Sequence, residues 1–459
     1  MTVPTDLQKQ LKKHGQDHVL ADWTDLPADR RTALVDQLTR IDLAELATLY
    51  AGRDEVAAVP AGDRLAPVPM LAADAVDPVA ARLGPEALAR GELAVLLVAG
   101  GQGSRLGFDK PKGMFPIGPV SNKTLFQIHA DKVFALGRRY GKPVPFLVMT
   151  SPATHADTVA YFKDEKFFGL GESNVFFFQQ GTMPAVDIAT GKLLLESPGV
   201  LFTSPNGHGG TLTAAADSGV LDEIAGRGVK HVFYFQVDNP LVKIGDPSFF
   251  GQHLATGSEA SSRAISKAFP KEKMGVLALI DGRCGIVEYS DLPDELAHRT
   301  NPDGSLTFRA GNPAIHIFAV DFLRRVTRGA SKLPFHIARK KVPHTGEPDP
   351  KKENALKFEM FVFDALPMAD RWLVVESPRA EEFSPVKNAT GADSPETTRR
   401  DLSNLAGTWL EKAGVTVPRD SAGNVTIPLE VSPRFALDAD ELKARVWPGQ
   451  TVEKATYYE

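Results

Sequence analysis

Apolar residues recur at helical spacing through the first part of the chain. Leu7, Leu11, Val19 and Leu20 lead into Leu34, Val35, Leu38, Ile41, Leu43 and Leu46, with charged and polar residues on much of the opposite face. Pro27-Ala28-Asp29 marks a helix entry. Pro60, Pro67 and Pro69 then break the pattern and predict an extended surface connection. From Leu93 the texture changes to short apolar runs, which predict strands over residues 95–98, 146–149, 175–178, 232–237 and 276–280. Helical patterns between some of these runs predict a mixed, mainly parallel sheet, because strands covered on both faces read as unbroken apolar stretches. Past residue 401, a helix over 402–413 leads to short strands such as 425–429. The expected fold class is α/β with a Rossmann-like core. Its parts are an N-terminal helical domain over 1–88, a main domain over 89–400 and a small β-rich lobe over 401–459.

The first of those strands empties into a glycine-rich loop: Leu96-Leu97-Val98-Ala99-Gly100-Gly101-Gln102-Gly103-Ser104-Arg105-Leu106-Gly107, then Lys110-Pro111-Lys112-Gly113. Glycines let a loop turn its N–H groups toward a phosphate and let that phosphate approach the backbone. Arg105 and Lys112 supply the positive charge a polyphosphate requires. A dinucleotide-binding turn is the nearest rival, but Gly101, Gly103 and Gly107 are spaced one residue too long for that fingerprint. It would also need an acidic residue ending the second strand and a hydride-transfer site, and neither is evident. The triphosphate P-loop is excluded, because no Gly-Lys-Ser/Thr closes the loop. An enzyme acting on a nucleoside triphosphate is the expectation.

Bulk properties narrow the class without changing it. A chain of 459 residues is long enough for two or three domains. Its formal net charge of -5 and lack of a long basic run give no reason to expect nucleic acid. Cys284 is the only cysteine, which rules out an intramolecular disulfide or a cysteine zinc site and suits a small buried group. No signal-peptide core or membrane-length apolar window is present. A cytoplasmic protein is expected, with no membrane partner, as a monomer or weak homo-oligomer.

The loop and its continuation resemble the signature of the eukaryotic-type UDP-sugar pyrophosphorylases, and within them the UDP-N-acetylglucosamine pyrophosphorylase branch. The resemblance runs in order through Lys123-Thr124-Leu125-Phe126-Gln127, Phe178-Gln179-Gln180-Gly181, Val237-Asp238-Asn239, Val287-Glu288-Tyr289-Ser290, Ala310-Gly311-Asn312, Phe361-Val362-Phe363-Asp364 and Phe383-Ser384-Pro385-Val386-Lys387-Asn388-Ala389. It therefore covers nearly the whole chain. It implies a nucleotidyltransferase core and a reaction in which UTP and a sugar 1-phosphate give a UDP-sugar and pyrophosphate. The attacking phosphate is already an anion, so the chemistry calls for cations, metal and positioning rather than a general base.

The resemblance also distributes roles. Arg105 and Lys112 would hold the triphosphate, and Lys387 would reach the sugar phosphate and α-phosphate. Asp238 would be the single carboxylate ligand of Mg2+, or of Mn2+, because magnesium is held by few carboxylates plus phosphate oxygens. An Asp capping the Asn239-Pro240 turn is the alternative. Gln180 would read uracil, helped by backbone around Gly100 and Gly101, with Met183-Pro184 as an apolar wall, and Gly103, Gly207 and His208 would also bind the nucleotide. Gly275, Glu288 and Asn312 would meet the sugar, and Phe361 or Phe363 would line the acetamido pocket. Asp246 reads as a turn residue.

One segment departs from the branch. Ser204-Pro205-Asn206-Gly207-His208-Gly209-Gly210 carries His208 where the N-acetylglucosamine branch usually has Asn. Gly-His-Gly looks more like the UDP-glucose and broad-specificity enzymes, whereas Gly210 agrees with the N-acetylglucosamine type. Imidazole is bulkier than a carboxamide and donates one hydrogen bond when neutral. It could narrow the sugar pocket, hold ribose and phosphate, or be a loop histidine held by backbone hydrogen bonds. N-acetylglucosamine 1-phosphate is the leading substrate. Glucose or a broader set of hexose 1-phosphates is the alternative, and a non-catalytic UDP-sugar sensor is the rival from another class.

Overall fold

The computed structural model describes residues 2–54, 62–75, 77–328 and 333–459, so Pro60 lies outside the described residues. Contacts divide the chain into two units. One holds residues 1–61, 180–213 and 332–364, and the other residues 62–179, 214–331 and 365–459.

In the smaller unit, helices α1 (Thr5–Lys13), α2 (Ala28–Thr39) and α3 (Leu43–Ala51) follow the predicted apolar spacing. The Asp42 carboxylate caps α3 by accepting from the Ala44 and Glu45 N–H groups at 3.0 and 2.9 Å. Leu11, Leu34, Leu38 and Leu46 pack with Val186, Leu193, Leu356 and Phe358 from much later in the chain. Strand Ala355–Glu359 lies between His336–Lys340 and Val186–Asp187 in a three-stranded antiparallel sheet. The buried Gln16 amide ties the helices to this later chain, donating to the Gly191 carbonyl at 3.0 Å and accepting from the Leu193 N–H at 2.9 Å.

The larger unit is built on an eleven-stranded mixed sheet. Its strands are β1 (Leu65–Pro67), β2 (Leu93–Val98), β3 (Phe146–Thr150), β4 (Val175–Gln179), β5 (His231–Gln236), β6 (Ala260–Ser266), β7 (Val276–Ile280), β8 (Arg283–Val287), β9 (Ala310–Gly311), β10 (His316–Ala319) and β11 (Trp372–Ser377). The spatial order is β1-β7-β9-β6-β10-β5-β2-β3-β4, with β8 beside β7 and β11 beside β6. The run β5-β2-β3-β4 is parallel. From β10 outward to β1 the strand-to-strand ladders are antiparallel, and β11 joins β6 in parallel. The apolar run of β2 is buried along nearly its whole length, as a central parallel strand requires.

Helix α4 (Pro78–Arg90) contributes Ala87 and Leu88 to this unit's core, so the N-terminal helical pattern up to residue 88 is shared between the two units. Helix α5 (Leu125–Tyr140) connects β2 to β3 and starts at a Thr124–Gln127 capping box. Helix α6 (Pro247–Ala255) starts at Asp246, whose carboxylate accepts from the Ser248 N–H at 3.0 Å and pairs with Arg263. The expected turn residue is thus a helix cap.

Beyond residue 394, helix α7 (Pro395–Lys412) packs with Val415, Val417, Leu429, Ala436 and Leu442 in a small core. The strand expected over 425–429 is displaced: a parallel pair forms from Leu429–Val431 and Thr456–Tyr458, while Val425 makes only an isolated bridge to Arg419. The reason is that Thr426-Ile427-Pro428 precedes the pairing, and proline cannot donate to a ladder. Cys284 is buried. Among the described residues no helix is long and apolar enough to cross a membrane.

Candidate active site

Chain reversal beside β2 creates the candidate phosphate site of the larger unit. Strands β3 and β4 follow β2 on one side, whereas β5 joins on the other, and ligands of open α/β sheets bind outside the strand ends at such a switch point. The register Gln236↔Val98 sets Gly100–Gly103 and Asp238 at the same end of adjacent strands.

The glycine loop closes on itself: the Lys112 N–H bonds the Gly101 carbonyl at 3.0 Å and the Gly103 N–H bonds the Lys110 carbonyl at 2.9 Å. Arg105 sits in a short turn, Ser104–Leu106, exposed and without a hydrogen-bond or ion-pair partner among the described residues. Lys112 Nζ stands 3.8 Å from Asp238 Oδ2, with both side chains largely buried. Among the described residues the Asp238 carboxylate accepts no hydrogen bond and has no ion pair other than this one. A largely buried carboxylate with open oxygens suits a cation. No group of three or more His, Cys, Asp or Glu able to hold a metal occurs among the described residues, and magnesium is commonly held by one or two carboxylates together with phosphate oxygens and water.

The strap after β11 brings in Lys387. The Val386 N–H donates to the Asp238 carbonyl at 2.8 Å, which makes Lys387 the next residue along. The Asn239 amide fastens the same strap, donating to the Glu382 carbonyl at 2.8 Å and accepting from the Ser384 N–H at 3.2 Å. Lys387 Nζ lies 5.4 Å from the Phe383 ring centroid and 3.9 Å from Asp393 Oδ2.

The three predicted sugar contacts are gathered by strand register. Val276 pairs with Val287 and with Gly311, so Gly275, Glu288 and Asn312 all flank one end of β7. The Asn312 N–H bonds the Gly275 carbonyl at 2.9 Å. Asn312 Oδ1 accepts from the Ala314 N–H at 3.0 Å, which turns the carboxamide so that Nδ2 remains to donate.

The smaller unit, by itself, carries the other residues expected from the sequence. Gln180 is buried, and its Nε2 donates to the Gly207 carbonyl. The loop Asn206–Gly209 is laced to Met360: the Met360 N–H bonds the Asn206 carbonyl at 2.8 Å and the Gly209 N–H bonds the Met360 carbonyl at 2.8 Å. His208 Nδ1 accepts from the Val362 N–H at 3.2 Å, which leaves the imidazole proton on Nε2. Burial pushes His208 down to about 4, so it is neutral near pH 7. Its ring lies 5.3 and 5.5 Å from those of Phe361 and Phe363. Phe363 is buried, and Phe361 is the partly exposed member of the pair. Gly210 has a local cause as well, since a Cβ there would collide with the Asn206 carboxamide.

Sequence reasoning missed the residues that hold the Asp238 loop from behind. Asn239 lay inside a quoted motif without a role, while His129 and Lys132 are polar positions, one turn apart, on the apolar helix α5. Polar side chains at helical spacing among core residues were the available signal.

A family model described as UTP–glucose-1-phosphate uridylyltransferase matches residues 73–394. UDP-N-acetylglucosamine pyrophosphorylase of Saccharomyces cerevisiae is 40% identical over 350 residues, covering 73% of each chain. UDP-N-acetylglucosamine diphosphorylase 2 of Arabidopsis thaliana is 34% identical over 95% of this chain and 91% of its own. The crystal structure of uridine diphosphate N-acetylglucosamine pyrophosphorylase from Trypanosoma brucei in complex with inhibitor superposes with a TM-score of 0.84 at 26% identity, covering 97% of this chain and 95% of that one.

Proposed function

The chain belongs to the UTP–glucose-1-phosphate uridylyltransferase family, and we propose that it joins UTP to N-acetylglucosamine 1-phosphate, giving UDP-N-acetylglucosamine and pyrophosphate. The observation that carries the nucleotidyl transfer is the Lys112–Asp238 pair, 3.8 Å apart beside a glycine loop at the switch point of the sheet, and the likeness to the N-acetylglucosamine enzymes supports the sugar.

A phosphate oxygen of the sugar phosphate attacks the α-phosphorus of UTP. One O–P bond forms, the bond to the bridging oxygen breaks, and pyrophosphate leaves with the electron pair. Repulsion between the two anions is the main obstacle, and preorganised cations lower it. Arg105, Lys112 and the N–H groups of the glycine loop take the triphosphate, and Lys387 takes the incoming sugar phosphate. Asp238 would hold Mg2+, or Mn2+, which supplies positive charge at the phosphates when bound. Gln180 reads uracil, with the Gly207–His208 backbone as its support. Glu288 and Asn312 meet the sugar hydroxyls: the carboxylate accepts, and Asn312 Nδ2 donates. The family likeness supports Phe361, the more exposed of the Phe361 and Phe363 pair, as the aromatic that meets the acetamido group.

A second reading, glucose 1-phosphate, is favoured by one observation: His208 puts an imidazole against Phe361. Pyrophosphate release from UTP and Mg2+, measured with N-acetylglucosamine 1-phosphate and glucose 1-phosphate in parallel, decides between the two. Preference for the acetylated sugar supports the proposal, and preference for glucose overturns its sugar assignment. UDP-sugar binding without pyrophosphate release from UTP, whether N-acetylglucosamine 1-phosphate, glucose 1-phosphate or another hexose 1-phosphate is supplied, marks a sensor.

A further inference from the structure

Apart from the Lys112 ion pair the Asp238 carboxylate has no side-chain partner among the described residues, so where it stands depends on the backbone of its loop. That backbone is held from one face of α5. His129 Nε2 is 3.0 Å from the Val237 carbonyl, and burial keeps the ring neutral by pushing it down to about 3. One turn on, Lys132 Nζ donates to the Pro240 carbonyl at 2.5 Å and the Val242 carbonyl at 2.8 Å. Burial pushes this amine down to about 7, yet even uncharged it keeps two N–H donors, one for each carbonyl.

The first turn of the same helix supports Lys112. The Phe126 ring lies directly against Gly113, leaving no room for a Cβ, and the Phe115 carbonyl accepts from the Leu125 N–H at 3.1 Å. Helix α5 thus touches both the turn that carries the cation and the loop that carries the carboxylate.

Behind the loop the packing is incomplete. A cavity of about 130 Å3 is walled by Lys132, Leu136, Pro240, Val242, Leu405 and Trp409 among others. Without Lys132 the two carbonyls would lose the donor placed on them and face a mainly apolar space, and the loop would be free to sag into it.

We propose that α5 sets the spacing of Lys112 and Asp238, and that Lys132 is the positioning residue through which it holds Asp238. This rests on the reading of Asp238 as the metal carboxylate.

The test compares Lys132→Met and Lys132→Arg with the unsubstituted protein. In Lys132→Met, kcat is expected to fall about a hundredfold with little change in KM for UTP, since misplaced groups cost turnover more than binding. Mn2+ binding in the presence of UTP, followed by electron paramagnetic resonance, is expected to weaken about tenfold. Amide hydrogen exchange over residues 237–243 is expected to quicken in the protein without ligands. Lys132→Arg keeps donors for both carbonyls and is expected to restore most of kcat. If Lys132→Met does not fold, Lys132→Leu, which also removes both donors, carries the same readouts.

A merely structural lysine would lower the melting temperature and leave the Mn2+ affinity of the folded protein unchanged. A folded Lys132→Met or Lys132→Leu variant with unchanged Mn2+ affinity, and kcat within about twofold of the unsubstituted enzyme, overturns the proposal. Full activity of Asp238→Asn instead overturns the metal assignment on which it rests, so the two failures are distinguishable.

Discussion

Two glycines of one loop answer the same substitution in opposite ways. An alanine Cβ at Gly101 would meet nothing within 4 Å, and that backbone conformation is not left-handed. At Gly113 the Cβ would press on Cζ and both Cε atoms of Phe126. That ring cannot retreat, because it is fully buried and packs edge-on against Phe162 with centroids 5.2 Å apart. Overpacking of this kind costs about 1–3 kcal/mol, and the clash with an immobile ring puts Gly113→Ala toward the upper end. Gly101→Ala should be neutral, or stabilising by about 0.4–1 kcal/mol through the unfolded chain. Its cost falls on the ligand, because the methyl would stand where the loop backbone is bare for a phosphate. Losing one hydrogen bond to a charged group costs about 1.5–3 kcal/mol, or roughly ten- to a hundredfold in UTP affinity. Thermal melts without ligand and UTP titrations with Mg2+ separate the two effects. Gly101→Ala should melt like the unsubstituted protein and bind UTP weakly, whereas Gly113→Ala should melt lower. Unchanged UTP affinity in Gly101→Ala would refute the idea that its bare backbone serves the triphosphate.

Asp238→Asn should abolish pyrophosphate release while leaving the melting temperature of the ligand-free protein nearly unchanged; retained turnover with Mg2+ removes Asp238 as the metal ligand. His208→Asn should raise the ratio of activity on N-acetylated over plain sugar phosphate, because a carboxamide oxygen can still accept from the Val362 N–H while occupying less of the space beside Phe361. An unchanged ratio shows that His208 does not read the sugar. Stability should fall as pH drops from about 6.5 toward 4: burial holds His129 near 3 and His208 near 4, so in that window the unfolded chain binds more protons than the native one. His129→Gln should lessen that pH slope by up to about 1.4 kcal/mol per pH unit, and denaturant melts between pH 4 and 7 that show the same slope would exclude His129 as a contributor.

What the amino-acid sequence determined by itself was whatever short-range chemistry dictates. Unbroken apolar runs marked β2 to β5 and β7, because a covered strand needs no polar face. The glycine loop was legible because backbone freedom and close phosphate approach demand specific residues at fixed local spacing. Tertiary structure alone decided which distant segments meet. Gly275, Glu288 and Asn312 converge through the register of β7 with β8 and β9, and a slip of one residue would turn every side chain over. The chain next to Lys387 reaches Asp238 through one backbone hydrogen bond at Val386, which carries no side-chain signature. His129 and Lys132 read as polar interruptions of a helix until folding set the carbonyls of residues 237, 240 and 242 against them. The N-terminal leucines predicted helices correctly, but their partners Val186, Leu193, Leu356 and Phe358 lie more than a hundred residues onward. Apolar burial is non-directional, so a stripe of leucines states that it will be covered and leaves the choice of cover to the fold.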